Sequence, residues 1–168
     1  MQTALEALRT ELDQEADATL RVLQRVPRDR LEWRPHPRSM SLGQLALHVA
    51  RTPADFSRIL GPSGVDFAEV DFGGPDPTPD VDLPDELRRS LGLARAWLEA
   101  LDDREADATW TATSGGEVLF AVPRIALVRS LMFNHWYHHR GQLCVYLRLL
   151  DLPVPPVYGP SADENPFV

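Results

Sequence analysis

Three of the five histidines in this 168-residue chain fall within one stretch, Asn134-His135-Trp136-Tyr137-His138-His139-Arg140-Gly141-Gln142. Read as helix, His135 and His139 stand at i and i+4 and project from one face about one turn apart. Two neutral imidazoles so placed can take adjacent positions around a single transition-metal ion. His138 offers a competing i, i+3 pair with His135, and spacing alone does not choose between them. A lone histidine on an apolar face reads as a core residue. A pair needs polar partners for both rings, and one ion serves both.

A third candidate is His48, on or beside the apolar stripe of an earlier helix. Three histidines leave at least one coordination position open, so the site reads as catalytic or ligand-binding rather than structural. A metal-bound water or thiolate there would have a lowered pKa and be a usable nucleophile near neutral pH. Gln142, on the stripe of the histidines, is the candidate to orient one of them. Arg140 reads as capping the bundle surface or binding a carboxylate elsewhere. His36, between two prolines, reads as surface. Cys144, five residues past His139 and off its face, reads as a buried, inert thiol.

The elements that must position these groups follow from periodicity. Leu5, Leu8, Leu12, Leu20 and Leu23 predict an amphipathic helix over residues 2–25, ended by Pro27. A connector with two prolines follows, through Trp33-Arg34-Pro35-His36-Pro37. Ser41 with Gln44 makes a capping box that opens a second helix carrying His48, with Pro53 expected to kink or shorten it. Residues 61–84, including Gly73-Gly74-Pro75-Asp76, read as a long surface loop. A third helix runs from about Pro84 to Leu101. Thr109 to Phe120 flanks Ser114-Gly115-Gly116 with β-branched and aromatic residues, the pattern of a short hairpin. The last helix opens after Pro123 and reaches about Leu150. Its apolar stripe is expected to pass through Leu127, Leu131, His135, His138 or His139, Gln142 and Tyr146, which turns the histidines inward. The proline-rich tail from Pro153 should lie extended across the domain. Four helices and one hairpin predict an all-α class: a single domain over 1–168, built as an antiparallel four-helix bundle.

Composition limits the function. A formal net charge of −8 and a pI near 5.0 disfavour nucleic acid as a partner, because phosphate contacts need a basic face. All 17 basic residues are arginine. No apolar run approaches the ~18 residues of a membrane span. The polar, acidic N-terminus is unlike a signal peptide, and one cysteine allows no internal disulfide. A cytoplasmic, soluble domain is expected.

The motif His135-Trp136-Tyr137-His138-His139-Arg140-Gly141-Gln142, followed by Val145-Tyr146-Leu147-Arg148-Leu149-Leu150 and by Pro155 to Glu164, resembles the C-terminal signature of the DinB-like family. Trp33-Arg34-Pro35 and Ser41 to His48 resemble its N-terminal signature. The resemblance implies a four-helix bundle that holds a divalent metal, commonly nickel or zinc, through His48, His135 and His139. It thereby selects His139 over His138, and it implies a homodimer. Related branches include bacillithiol S-transferases and the mycothiol-dependent maleylpyruvate isomerase, in which the metal activates a low-molecular-weight thiol. The expectation is a metal-dependent enzyme that transfers such a thiol to a small electrophile or hydrolyses a small substrate. The alternative is a non-enzymatic metal-binding stress-response protein.

Overall fold

The computed structural model describes residues 3–71 and 77–167. Its frame consists of α1 (Ala4–Gln24), α2 (Leu42–Leu60), α3 (Leu83–Ala100), and a last helical segment made of α5 (Arg124–Leu127), a π-helical stretch (Val128–Asn134) and α6 (His135–Leu149); a short α4 (Asp103–Asp107) follows α3. Local chemistry sets the starts. Thr3 and Glu6 form a capping box on α1, and Ser41 and Gln44 form the expected one on α2. Asp82 caps α3 just ahead of Pro84, whose missing amide costs nothing in a first turn. No helix among the described residues is long and apolar enough to cross a membrane.

The helices pack through their apolar faces. Leu5, Leu8, Leu12, Val22 and Leu23 of α1 meet Leu87, Leu91, Ala94 and Leu98 of α3 in one core, which continues through α2 into Met132, Phe133 and Trp136. α2 lies against α3 on one side and α6 on the other, so it is the central helix of the frame.

Two expectations need correction. The stretch 61–84 is not all loop: β1 (Gly64–Asp66) pairs in parallel with β2 (Thr109–Ser114), which pairs antiparallel with β3 (Glu117–Pro123). The domain is therefore mostly helical with a three-stranded sheet, not purely all-α with a hairpin. Three residues are too few to show a strand period, and Gly64 has none of the usual strand preference. It is admitted because a Cβ there would sit 2.4 Å from the Thr111 carbonyl oxygen. The carboxylate of Asp66 accepts from the amides of Gly115 and Gly116 at 3.0 and 2.9 Å, pinning β1 to the hairpin turn. Gly115 and Gly116 both take positive φ, as a two-residue turn demands. The expectation for Gly73 to Asp76 lies outside the described residues.

The second correction concerns the last helix. Its buried stripe is Leu127, Val128, Met132, Phe133, Trp136, Arg140, Leu143, Tyr146 and Leu147, whereas Leu131, His135, His139 and Gln142 are only half-buried. The π-helical stretch carries an extra residue per turn, which shifts the inward face. The histidines consequently flank the core instead of filling it.

Arg140 is 1% exposed, so it does not cap the surface; it binds a carboxylate. Its Nη2 lies 2.6 Å from the Glu15 carboxylate, Nη1 donates to Thr19 Oγ1 at 2.9 Å, and Nη2 donates to the Tyr158 hydroxyl at 2.5 Å. The guanidinium also lies against the rings of Tyr137 and Tyr158. One side chain thus joins α6 to α1 and to the tail, whose Pro155 is buried as it runs back across the domain.

Replacing Glu15 by Gln leaves that guanidinium buried without its counter-charge. The expected loss is about 3 kcal/mol of unfolding free energy by urea denaturation. Arg95→Gln, whose partner Asp13 is exposed, should cost less than about 1 kcal/mol. Equal small losses would show that Glu15 does not balance Arg140.

Candidate metal centre

His48 sits midway along α2, where the helix is built around a proline. Pro53 has no amide, so the carbonyl four residues earlier, that of Val49, loses its helical donor. Trp136 supplies the replacement: its buried Nε1 donates to the Val49 oxygen at 2.9 Å. The next amide, Ala54, donates to Ser90 Oγ of α3 at 3.0 Å, and that hydroxyl donates to the Arg51 carbonyl at 3.2 Å. Neighbouring helices therefore satisfy the groups the proline disturbs, and α2 runs through to Leu60 without being shortened. The same Trp136–Val49 bond ties α2 to α6 between the residues that directly follow His48 and His135.

That tie brings three imidazoles together. His48, His135 and His139 each offer a ring nitrogen within 4.8 Å of the others, and all three rings are half-buried. His48 Nε2 and His135 Nε2 are 2.9 Å apart, so in this state one of them carries the proton between them. The ring of His139 lies edge-on to both, with centroids 4.6 and 4.4 Å away. Gln142 Oε1 accepts from His139 Nδ1 at 2.9 Å, which leaves the Nε2 lone pair of that ring free for a ligand. Phe56 packs edge-on against His135 at 5.1 Å and covers its outer side.

The rings are also in the right charge state. Burial first, and then the nearby imidazoles of His139 and His135, hold His48 down to about 4. His135 is likewise held at about 4 by burial, followed by His139 and His138. Burial lowers His139 too, against the raising effect of its bond to Gln142. Metal ligation needs neutral imidazole, and His48 and His135 are neutral well below pH 7. Ligands about 2.0–2.1 Å from a tetrahedral ion stand about 3.4 Å apart. The His48–His135 edge is slightly tighter than that, and all three nitrogens lie within 4.8 Å of one another, so small side-chain rotations accommodate a divalent ion. The donor set fits.

His48 also lines a cleft of about 690 Å³. Arg51, Asp55 and Phe56 of α2 line it as well, with Leu47 and Ile59 from the same helix and Val65 of β1. Sequence reasoning missed Arg51, Asp55 and Phe56, although i+3, i+7 and i+8 from His48 place them near its face. The structure keeps the other histidines out of the cluster. His138 is exposed, with its ring 4.8 Å from that of His139, and His36 is exposed, its Nδ1 accepting from the Arg38 amide. Cys144 is half-buried, and burial pushes its thiol up from the usual range, as an unreactive thiol requires.

Fold and site together define a helical protein with three histidines, from two helices, converging at the edge of a cleft in an arrangement compatible with a divalent metal. The chain belongs to the DinB family, whose model matches residues 1–165. It is 28% identical over 152 residues to the uncharacterized protein YrdA of Bacillus subtilis (strain 168), covering 89% of this chain and 85% of that protein. Among solved structures, the DinB-like protein YjoA from Bacillus subtilis superposes with a TM-score of 0.68 at 20% identity, covering 90% of this chain and 97% of that one. A DinB-like protein from Bacillus cereus ATCC 10987 gives 0.65 at 21% identity, covering 91% and 97%. A DinB-family protein from Exiguobacterium sibiricum 255-15 gives 0.62 at 23% identity, covering 89% and 95%. At these identities the structures show a shared fold.

Two outcomes follow from the site. Trp136→Phe keeps an aromatic ring but leaves the Val49 carbonyl without a donor and the indole's space partly empty. It should lower stability by about 2–4 kcal/mol, measured by chemical denaturation. A loss under about 1 kcal/mol would mean the carbonyl finds another partner. The second outcome concerns acid. Folded-state values for His48 and His135 near 4 lie below the ordinary 6.5, so the unfolded chain binds protons first as pH falls. Metal-free protein should keep level histidine-dependent stability above about pH 7 and lose it progressively from about 6.5 to 4. A His48→Gln/His135→Gln variant should show a shallower fall in melting temperature over that window; identical slopes would contradict the assignment.

Proposed function

We propose that this protein is a metal-dependent enzyme in which His48, His135 and His139 hold zinc or nickel, and that it transfers a low-molecular-weight thiol to a small electrophile or hydrolyses a small substrate. In this reading the long helices form an antiparallel four-helix bundle and the protein works as a cytoplasmic homodimer. The observation that carries it is the convergence of three half-buried imidazoles beside an open cleft. A purely structural site closes its coordination sphere, whereas three protein ligands leave room for a substrate. A divalent ion there would supply Lewis acidity, lowering the pKa of a thiol or water brought to it.

The chain's own residues do the remaining work. Gln142 fixes the tautomer and orientation of His139. Phe56 shields His135. The cleft beside His48 positions the reacting partner and limits its size, converting a bimolecular encounter into a held one.

Protein purified without a histidine tag or added metal should carry about one equivalent of zinc or nickel by elemental analysis. A His48→Ala/His139→Ala variant should carry none and should lose metal-dependent consumption of a thiol with a generic electrophile by at least about 100-fold. Undiminished turnover in a folded double variant overturns the proposal. Stoichiometric metal with turnover of neither thiol nor ester points to the non-enzymatic alternative.

A further inference from the structure

The cleft beside the histidines has a chemical character of its own. Its walls are hydrocarbon over much of their extent: Leu47, Phe56, Ile59 and Val65 all face it. At about 690 Å³ it falls within the roughly 300–1,000 Å³ of sites that take small molecules. Those walls suit a ligand that is itself largely apolar.

The charges are placed unevenly. Arg51 lies one helical turn from His48, and both line the cleft. Arg51 Nε donates to Glu86 Oε2 at 3.1 Å, but Glu86 is shared: its other oxygen accepts from Arg89 Nη2 at 2.9 Å. Two guanidiniums thus stand on one carboxylate, leaving a net positive charge. Among the described residues, Nη1 and Nη2 of Arg51 donate to no side chain or carbonyl, while the bond at Nε holds the fork in place. Further along α2, Arg58 Nη1 and Asp55 Oδ1 pair at 3.2 Å and offset each other, and Asp71 on the lining has interactions of its own. Of the two guanidiniums on this lining, Arg51 is the one near His48 and fixed by Glu86, and a fixed guanidinium fork suits a carboxylate best.

We propose that this cleft binds medium-chain monocarboxylates, with the carboxylate on Arg51 and the hydrocarbon chain against Leu47, Phe56, Ile59 and Val65. The inference deepens the proposed function, and it rests on that reading in taking the His48 end as the reacting end. The ligand's polar head then lies within one helical turn of the histidines while its tail fills the apolar side. Arg51 acts as a specificity-determining residue.

Isothermal titration of the full chain, metal-loaded and metal-free, with acetate, butanoate, hexanoate, octanoate and 1-hexanol tests this. Affinity should climb from acetate to octanoate by about fourfold per methylene, the value for hydrocarbon buried from water, and hexanoate should bind more tightly than 1-hexanol. Arg51→Gln should weaken hexanoate about tenfold and leave 1-hexanol unchanged, which also shows the cleft intact. Ile59→Trp should weaken octanoate and spare acetate. Octanoate that fails to bind a metal-retaining protein overturns the inference and leaves the metal reading standing. So does 1-hexanol binding as tightly as hexanoate, or hexanoate binding unaltered in Arg51→Gln. Chain-length-dependent binding to a protein that takes up no metal supports the cleft assignment and removes the metal reading.

Discussion

A missing amide governs much of this molecule. Pro53 removes a donor from the middle of α2, and the carbonyl it strands, that of Val49, faces the core where water cannot reach it. Only a donor from another element can satisfy it, and the indole of Trp136 does. The resulting bond has a direction, a length and one acceptor, so it fixes how far α6 is slid along α2 and how it is rotated. Apolar packing alone specifies neither so sharply. Ser90 performs the matching repair from α3, making α2 the helix against which both neighbours are set.

The three histidines inherit their positions from such anchors. Each is followed by a residue that grips the core: His48 by Val49, His135 by Trp136, and His139 by Arg140. Val49 and Trp136 grip each other, and Arg140 grips Glu15, Thr19 and Tyr158. A half-buried imidazole has several rotamers, but its Cα is held by a neighbour that has almost none. Placing the cluster at the edge of the core reconciles two demands. Burial keeps His48 and His135 neutral, and the adjoining cleft leaves His48 accessible.

How much of this could be read beforehand depended on the range of each signal. The capping box at Ser41, the two-glycine turn and the spacing of His135 and His139 are local patterns, and each appears as its residues predict. His48 could be named as a third candidate from its helix face in the expected bundle, and the family signature pointed to it as well, but its meeting with the pair depends on tertiary packing. The π-helical turn was invisible because its residues, Val128 to Asn134, are ordinary helix formers; the tertiary fold imposes it, and a 3.6-residue period carried through it misplaced the inward stripe. β1 was too short to display a period. Arg140 was read as a surface or carboxylate-binding group because a charge is rarely buried, and nothing local marks Glu15, 125 residues away, as its partner. Pro53 signalled a kinked or shortened helix, and its repair lay in residues 90 and 136.

The π-helical turn has a mechanical consequence. At its N-terminal end, Arg129 is tied to Glu11 of α1 by two charged hydrogen bonds; beyond its C-terminal end, Trp136 and Arg140 are tied to α2 and α1. A regular helix is torsionally stiff, so satisfying one set of ties would dictate the angular phase of the other. The surplus residue absorbs the difference, as a splice lets two threaded rods meet out of phase, and each half of the helix reaches its own angular setting. The same sequence wound as an unbroken α-helix would turn one half by roughly 100° against the other, leaving every side chain present and His135 and His139 turned away from His48.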